Sequence, residues 1–482
     1  MYLGIDLGTS SVKVVLMNEA QHILASSSQP LTVSRPHQGW SEQNPTDWIV
    51  ATTQALDELK QHCPRELAAV TGIGLSGHMH GATLLDKGNR VLRPCILWND
   101  TRSHVEAAEL DADPQFRAVS GNIVFAGFTA PKLLWVKRHE PEVFARTATV
   151  LLPKDYLRWW LTGEFASDCS DAAGTAWLEV GKRQWSEALL GACDLSLDHM
   201  PDLVEGTEIS GYLRTPLAER WGMGNAVVAG GAGDNAASAC GMGVVTKGAA
   251  FVSLGTSGVL FAATERYLPN PASAVHTFCH ALSNTWHQMG VILSATDALN
   301  WWSHIAQQSA ADLTQALGNE LHQPSPVLFL PYLAGERTPH NDAVIRGAFV
   351  GLAHSTERET LTQAVLEGVA FALKDNLAAL EQAGSQLERI IAVGGGSRSH
   401  YWLKVLATVL NLPIDLPADN EVGAALGAAR LGMIAALKAD PLSVLTAPVI
   451  EQTFEPDLAL LDPYAQSYER YRLAYPALRG LI

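Results

Sequence analysis

The stretch Leu7-Gly8-Thr9-Ser10, LGTS, occurs a second time at Leu254 to Ser257. The flanking residues also match: LGTSSVKVVLMNE from Leu7 and LGTSGVLFAATE from Leu254 each run from Gly-Thr-Ser through apolar residues to an acidic one. Strand-like residues precede both copies, MYLGID in the first and GAAFVS in the second. We therefore predict a duplicated strand-turn-strand unit, with one copy in each half of the chain.

The length of the chain supports a duplicated architecture. With 482 residues, 47% of them hydrophobic and 17% charged, the chain is too long for one ordinary core and has ample apolar material for two. Helical patterns follow the strand-like segments in both halves, NPTDWIVATTQALDELKQH in the first and ETLTQAVLEGVAFALKDNLAALEQAG in the second. The sequence predicts an α/β protein of two domains, 1–244 and 245–482.

Charge and cysteine content exclude several classes of protein. The net charge of −16 argues against binding to nucleic acid or to an anionic membrane, which requires clustered Lys and Arg. The six cysteines form no CxxC pair, so we expect neither a zinc site nor disulfides, and a cytoplasmic location without a signal peptide. The apolar stretch 225–246 contains glycine pairs and Asp234, which disfavour a membrane helix.

Two familiar nucleotide motifs are weak or missing. Gly72 to Gly77, GIGLSG, matches the dinucleotide fingerprint formally, but it lies inside a strand-like segment and no helical pattern follows it. The sequence GxxxxGK[ST] of the P-loop does not occur. A nicotinamide-dependent dehydrogenase is thus a minor alternative, which an NAD-binding measurement would test.

The two LGTS turns are candidate phosphate-binding sites. Glycine lets a ligand approach the backbone closely, and the N–H and hydroxyl groups can donate to an oxyanion. One such turn alone would be an ordinary hairpin turn, but two copies with matching flanks favour a polyphosphate held from both sides. Asp6 precedes the first turn where Ser253 precedes the second, so we expect one Mg²⁺ site, at Asp6.

Asp234 is the sharpest candidate for a catalytic group. The segment VVAGGAGDNAASACG places one carboxylate in a glycine turn among small apolar residues, where it can accept a proton from a substrate hydroxyl. Asp234 could equally cap the helix predicted to begin at NAASA, and the two roles are compatible. A second glycine turn, VGGGSRS, joins a predicted strand to a predicted helix at Gly394 to Gly396 and could hold a flat or anionic ligand.

Polar and aromatic residues gather in three further loops, GHMHG (77–81), LWNDTR (97–102) and GERTPH (335–340). Sugar sites use such groups, with apolar faces for the carbon chain and polar side chains for the hydroxyls. Individually each of these residues could be structural. Together they predict a carbohydrate site.

These segments, taken in order, resemble the FGGY carbohydrate kinases. The resemblance covers residues 2 to about 432 and rests on GIDLGTSSVK, FTAPKLLWVKRHE, GAGDNAASACG, SLGTSG, GERTPH, GAFVGL and VGGGSRS. It implies an actin-like ATPase fold with two ribonuclease-H-like domains around a deep cleft. The segments MHG, LWNDTR, LLPKDYLRWWLTGEFASDCSDAAGT and GERTPH are most similar to those of bacterial members that phosphorylate D-xylulose with ATP.

The resemblance also implies roles for individual residues. Sugar would bind mainly to the first domain and ATP mainly to the second, with Asp234 as the base and Asp6 positioning Mg²⁺. The sugar contacts we expect are Met79, His80, Asp100, Asp234 and Asn235. The contacts we expect for ATP and its phosphates are Thr9, Ser10, Lys13, Gly255, Thr256, Gly394, Gly395, Gly396 and Ser397.

Some questions stay open at the level of sequence. His78 stands where the D-xylulose-specific members known to us carry Gln, which could alter sugar preference or pH response. A kinase for ribulose, fuculose or glycerol is the nearest alternative, and an actin-like scaffold or chaperone without sugar chemistry is a more distant one. A homodimer is expected only from the habit of the family.

Overall fold

Each LGTS turn connects the first two strands of a large mixed sheet. The computed structural model describes residues 1–419 and 423–481. In the first sheet, Tyr2–Leu7 pairs antiparallel with Ser11–Met17 and parallel with Gly72–Gly77. In order across the sheet, the strands are Ile209–Tyr212, Val227–Ala229, Gly72–Gly77, Tyr2–Leu7, Ser11–Met17 and Ile23–Pro30, and Ala232–Gly233 pairs with the end of Gly72–Gly77.

The second sheet repeats this arrangement. Ala249–Leu254 pairs antiparallel with Gly258–Thr264 and parallel with Arg389–Val393. Its strands, in order, are His276–Cys279, Trp286–Ile292, Gly258–Thr264, Ala249–Leu254, Arg389–Val393, Ile414–Pro417 and Ile450–Phe454. The protein thus has two similar α/β domains of the actin-like type. We call the part built on the first sheet the first lobe and the part built on the second sheet the second lobe.

Helices and short strand pairs complete both lobes. The helices are Pro45–His62, Pro64–Ala68, His104–Ala112, Pro114–Ser120, Thr129–His139, Pro141–Arg146, Pro153–Thr162, Cys169–Ala172, Glu187–Gly191, Thr215–Trp221, Asp234–Met242, Thr296–Ala306, Ala310–Gln315, Arg358–Gln382, His400–Leu410, Ala424–Leu437, Pro441–Val444 and Leu461–Arg479. The short strand pairs are Glu42–Gln43 with Cys95–Ile96, Thr83–Leu85 with Thr149–Leu151, Ala166–Asp168 with Asp202–Val204, Leu178–Glu179 with Gln184–Trp185, and Leu328–Leu330 with Ala348–Val350.

Short sequence motifs predict the start of a helix and the extent of a strand. Asn44 caps the helix Pro45–His62 by accepting a hydrogen bond from Thr46 N at 3.0 Å, as its Asn-Pro start predicts. The GIGLSG segment is a strand over its whole length, so it cannot serve as a dinucleotide turn. The tail beyond Ala447, which carries little sequence pattern, adds an edge strand and a 19-residue helix to the second lobe.

Helix Ala424–Leu437 explains the glycines of the first sheet. Although it follows most of the second lobe in sequence, it packs on the first sheet so closely that a Cβ on Gly4 would lie 1.9 Å from Ala425 O, and one on Gly74 1.8 Å from Ala428 O. Only glycine permits this approach. On its other side the same helix packs against Asp234–Met242, where Gly427 meets the backbone of Ala237.

An apolar seam joins the lobes along one side. Phe128 of the first lobe packs against Phe278 of the second, with ring centroids 6.0 Å apart. Asn122 exchanges hydrogen bonds of 2.9 Å with the backbone of Thr277. All six cysteines are free thiols, and no helix among the described residues is long and apolar enough to cross a bilayer.

Candidate active site

The strands of the first sheet bring the predicted catalytic residues together. Tyr2–Leu7, Gly72–Gly77 and Ala232–Gly233 run parallel, so that Asp6, Ser76 and Ala232 lie side by side in the register. The next residues along the chain are the first LGTS turn, the loop His78–His80 and Asp234. Because parallel strands end at one edge of a sheet, these three segments share that edge.

Asp234 and Asp6 are close enough to repel each other. Burial, and then the negative charge of Asp6, raise the pKa of Asp234 to about 6, while Asn235 opposes the shift by donating from N at 2.7 Å and from Nδ2 at 3.0 Å. Burial also raises the pKa of Asp6, against the opposing effects of the neighbouring Ser76 hydroxyl and of the charge of Lys13, which lies opposite Asp6 in the sheet. Two carboxylates this close suit a hard divalent cation.

The first LGTS turn is held by side chains that sequence reasoning missed. Trp98 donates from Nε1 to Thr9 Oγ1 at 3.0 Å, and Gln43 donates from Nε2 to the carbonyl of Thr9 at 2.7 Å. Gly8 N bonds to Ser11 O at 3.0 Å, and Ser10 is exposed. In the sequence, the LWNDTR loop was the one signal that included Trp98. A tryptophan is large enough to be a core residue, but Trp98 is half exposed.

The second LGTS turn is hydrogen-bonded to the start of the helix Thr296–Ala306. The carbonyl of Gly255 accepts from Thr296 N at 2.9 Å and the carbonyl of Thr256 accepts from Ala295 N at 2.8 Å, while the Thr256 side chain is exposed. Gly394, with φ of 92°, lies against the backbone of Leu254, so a side chain there would collide with that strand. The two glycine motifs of the second lobe are thus direct neighbours.

A cavity of about 640 Å³ opens beside these motifs in the second lobe. Gly395 and Gly396 form part of its wall, together with Asn300, Gln315 and Tyr401. Gly394 and Ser397 lie behind this wall: Ser397 is buried and its Oγ donates to Gly394 O at 2.8 Å, which closes the turn. The volume suits an adenosine-sized ligand.

Met79 lies against the loop that carries Asp234, and His80, the next residue, lies against Gly174 and Phe128. Met79 is buried beneath Gly233, where a Cβ would meet its side chain at 2.9 Å. His80 adopts φ of 70°, stacks on Phe128 at 4.7 Å, and its Nδ1 lies 2.6 Å from the carbonyl of Gly174. A carbonyl only accepts, so Nδ1 carries the hydrogen. Burial lowers the pKa of His80 to about 3, which leaves Nε2 of the neutral ring as an acceptor.

Asp100 and His78 are both buried and contact other residues of the protein. Asp100 is buried and forms a two-bond ion pair with Arg102, at 2.9 and 2.7 Å, while its second oxygen also accepts from Ser41 N. Both oxygens of Asp100 thus accept hydrogen bonds within the protein, and its contact with sugar stays a prediction. His78 is buried against Trp48, neither ring nitrogen has a hydrogen-bond partner among the described residues, and burial lowers its pKa to about 3.

A charged cluster without solvent exposure supports the Asp234 loop. Lys154 and Arg158 pair there with Asp155, Asp168 and Asp171. Arg158 donates to the carbonyl of Gly230, and Gly233 N donates to Ser170 Oγ at 3.1 Å, which in turn donates to Asp168. Both ends of the turn that leads to Asp234 are thus hydrogen-bonded to one segment, PKDYLRWWLTGEFASDCSDAAGT.

The doubled α/β lobe, with one Gly-Thr-Ser turn on each sheet and the carboxylates of Asp6 and Asp234 at one sheet edge, is typical of an actin-like phosphotransferase. Two family models match the chain, the N-terminal domain of the FGGY family of carbohydrate kinases over residues 1–241 and its C-terminal domain over residues 250–436. The chain belongs to the FGGY family of carbohydrate kinases and is an ATP-dependent sugar kinase.

Named relatives match along the whole chain. The chain is 49% identical to a xylulose kinase of Escherichia coli K12 over 486 residues, covering 100% of both proteins, and 36% identical to one of Lactococcus lactis, covering 98% of this chain and 96% of the relative. A crystal structure of a xyloylose kinase from Brucella ovis superposes with a TM-score of 0.99 at 61% identity, covering 100% of both chains. The crystal structure of xylulose kinase from Rhodospirillum rubrum superposes with a TM-score of 0.93 at 29% sequence identity, covering 100% of this chain and 99% of that one.

Proposed function

We propose that this chain transfers the γ-phosphoryl group of ATP to the terminal hydroxyl of D-xylulose, giving D-xylulose 5-phosphate and ADP. The observation that carries the proposal is the convergence of Asp234, Met79 and His80 at one sheet edge beside the first phosphate turn. Support for the particular sugar comes from the full-length relatives, which are xylulose kinases.

In this proposal Asp234 is the general base. Its pKa of about 6 leaves the carboxylate mostly ionised at neutral pH yet basic enough to take the hydroxyl proton as the oxygen attacks phosphorus in line. The N–H and hydroxyl groups of the LGTS turns, with Thr9 and Thr256 at their tips, offset charge on the phosphoryl oxygens. Transfer forms the oxygen–phosphorus bond of the product and breaks the bond to the ADP oxygen.

A divalent cation fits the donor set of the first lobe. Asp6 and Asp234 are two half-buried carboxylates whose mutual repulsion a cation would relieve, and Asp6 comes directly before the first turn. We infer that Asp6 holds Mg²⁺, which when bound would neutralise phosphate charge. Lys13, on the neighbouring strand, is proposed to face the phosphates. Gly394 and Ser397 shape the adenosine site, and Gly395 and Gly396 contact the nucleotide.

Three further assignments are inferred with this function. Asn235 would orient the Asp234 carboxylate, to which it already donates twice, and would touch the sugar through its amide. Six free thiols are consistent with a reducing cytoplasm, where a kinase of pentose catabolism would act. The expected homodimer stays a prediction.

A panel of sugars tests the proposal. Purified protein with ATP and Mg²⁺ is offered D-xylulose, D-ribulose, L-fuculose and glycerol, and ADP release is measured. We expect kcat/KM to be highest for D-xylulose. A clear preference for another sugar would reject the proposed substrate, and ATP turnover that no sugar stimulates would reject sugar kinase chemistry itself.

A further inference from the structure

Arg337 sits in a loop whose flanking residues are bonded to the second lobe. The Glu336 carboxylate accepts from Leu293 N at 3.1 Å and from the N of Arg337 at 2.8 Å. On the other side, Thr338 N donates to Val291 O at 3.0 Å, within the strand Trp286–Ile292. With both neighbours anchored to the second lobe, the backbone at Arg337 is fixed while its side chain is free to extend toward the first lobe.

The guanidinium of Arg337 does reach the first lobe. Its Cζ lies 4.5 Å from the centroid of the Phe125 ring, and Phe125 packs at 5.7 Å against Phe128, the ring on which His80 stacks. The charge of Arg337 contributes to the lowered pKa of both His80 and His276. Arg337 and His80 therefore approach the same space from opposite lobes.

This guanidinium contacts the Phe125 ring but has no polar partner among the described residues. Over residues 1–419 and 423–481, no hydrogen bond or ion pair joins its nitrogens to another group, although burial lowers its pKa. The charge of its neighbour Glu336 opposes the lowered pKa of Arg337, but Glu336 Oε1 accepts from the backbone N–H groups of Leu293 and Arg337, and burial raises the pKa of this carboxyl to about 8. A shielded cation with five N–H donors and no acceptor is poised for a ligand oxygen.

The two groups are complementary toward a hydroxyl. His80 offers Nε2 as an acceptor, since its Nδ1 hydrogen is held by Gly174, and no hydrogen bond reaches Nε2 within the described part of the chain. A sugar hydroxyl can donate to Nε2 and accept from Arg337 at the same time. We propose that Arg337 is a sugar-binding residue of the second lobe, which donates to a D-xylulose hydroxyl that His80 binds from the first lobe.

This inference rests on the proposed function and extends it. The sugar becomes a bridge between the lobes, so its binding energy favours the closed state in which the two phosphate turns face each other. A cation fixed by the second lobe also favours an oxygen-rich ligand over a deoxy analogue, because a missing hydroxyl leaves the guanidinium without an acceptor.

The test compares Arg337→Gln with a matched control, Arg346→Gln. Arg346 belongs to the same stretch of the second lobe, and among the described residues it donates only to carbonyls of its own loop, at Ala343, Val344 and Ile345. We expect Arg337→Gln to raise the KM for D-xylulose at least about tenfold while the KM for ATP changes less than about twofold. The control should leave both constants unchanged. A D-xylulose KM within about twofold of wild type in Arg337→Gln would overturn the proposal.

A second variant and the sugar panel allow the role of Arg337 to be tested even if Arg337→Gln fails to fold or the enzyme prefers another sugar. Arg337→Lys retains charge but loses the planar fork, so we expect a smaller rise in the D-xylulose KM; should Arg337→Gln fail to fold, an unchanged KM in Arg337→Lys overturns the proposal. If wild type prefers another sugar of the panel, the proposed substrate is wrong, and the same comparison on the preferred sugar still decides the role of Arg337.

Discussion

At the scale of single residues, Asp234 combines two demands that oppose each other. It begins the helix Asp234–Met242, where a carboxylate is favourable, yet it is half-buried beside the negative charge of Asp6. A base with a pKa of about 6 is well matched to a reaction at neutral pH. The same features make its ionisation costly to the fold.

The cost of ionising Asp234 can be measured through Asp234→Asn. The folded-state pKa of about 6 lies above the ordinary 3.8, so Asp234 favours the folded state most below 3.8, and that contribution is lost as pH rises through 6. Asparagine does not ionise. We expect the stability advantage of Asp234→Asn over wild type to grow by about 1 kcal/mol between pH 5 and 7.5 in ligand-free chemical denaturation. An advantage that shrinks with rising pH would contradict the raised pKa.

His78 shows how burial removes a residue from the working pH range. Its ring is uncharged down to a pKa of about 3, and it packs against Trp48. We therefore expect His78→Gln to leave the shape of the kcat/KM profile between pH 5 and 9 unchanged, with D-xylulose kcat/KM altered less than about threefold. A displaced acid limb in the variant would show that His78 titrates in the working enzyme.

At the scale of elements, the helix Ala424–Leu437 links the catalytic helix to the first sheet. It is wedged between that sheet and Asp234–Met242, with backbone contacts on both sides that leave no room for side chains. Backbone-to-backbone packing of this kind cannot be relieved by a change of rotamer. The position of Asp234 therefore depends on residues nearly two hundred positions further along the chain.

Gly427→Ala tests this packing. The added Cβ would lie 1.8 Å from the carbonyl oxygen of Ala237, so the two helices must separate, and we expect a loss of about 1–3 kcal/mol in the free energy of unfolding together with reduced kcat. Gly191→Ala is the control, because a Cβ at this helical position meets nothing within 4 Å and should be neutral or slightly stabilising. Equal stability of the two variants would contradict the close packing.

The elements that could be predicted from sequence are those with local causes. The strand-turn-strand units at LGTS, the Asn44 cap and the glycine turn before the helix His400–Leu410 are each written within a few neighbouring residues. Trp98 on Thr9, and Arg337 near His80, depend on chain segments that only the fold brings together. Hydrophobic periodicity, with a period of two residues in strands and 3.6 in helices, does not predict such long-range contacts.

At the scale of the whole molecule, an aromatic seam joins the two lobes on one side, and each lobe carries its LGTS turn on its own sheet. The seam of Phe128, Phe278, Asn122 and Thr277 fixes one side, which leaves relative rotation of the lobes as the simplest motion that can bring the turns together. Closure would also exclude water from the reacting phosphoryl group.

Small-angle scattering tests closure directly. We expect the radius of gyration to fall when D-xylulose and a nonhydrolysable ATP analogue are both present, and to change less with the analogue alone, because in our proposal the sugar contacts both lobes. Glycerol in place of D-xylulose serves as the control ligand. Identical scattering curves for the free protein and the ternary complex would count against lobe closure.

Transfer to a hydroxyl activated by Asp234 is tested most directly by steady-state kinetics of Asp234→Ala beside wild type, with D-xylulose as the acceptor. A general base contributes about 10²- to 10⁴-fold, so the variant should lose at least that much in kcat while its affinity for ATP, measured separately by calorimetry, stays close to that of wild type. Wild-type turnover in Asp234→Ala would contradict the assignment of this carboxylate as the base.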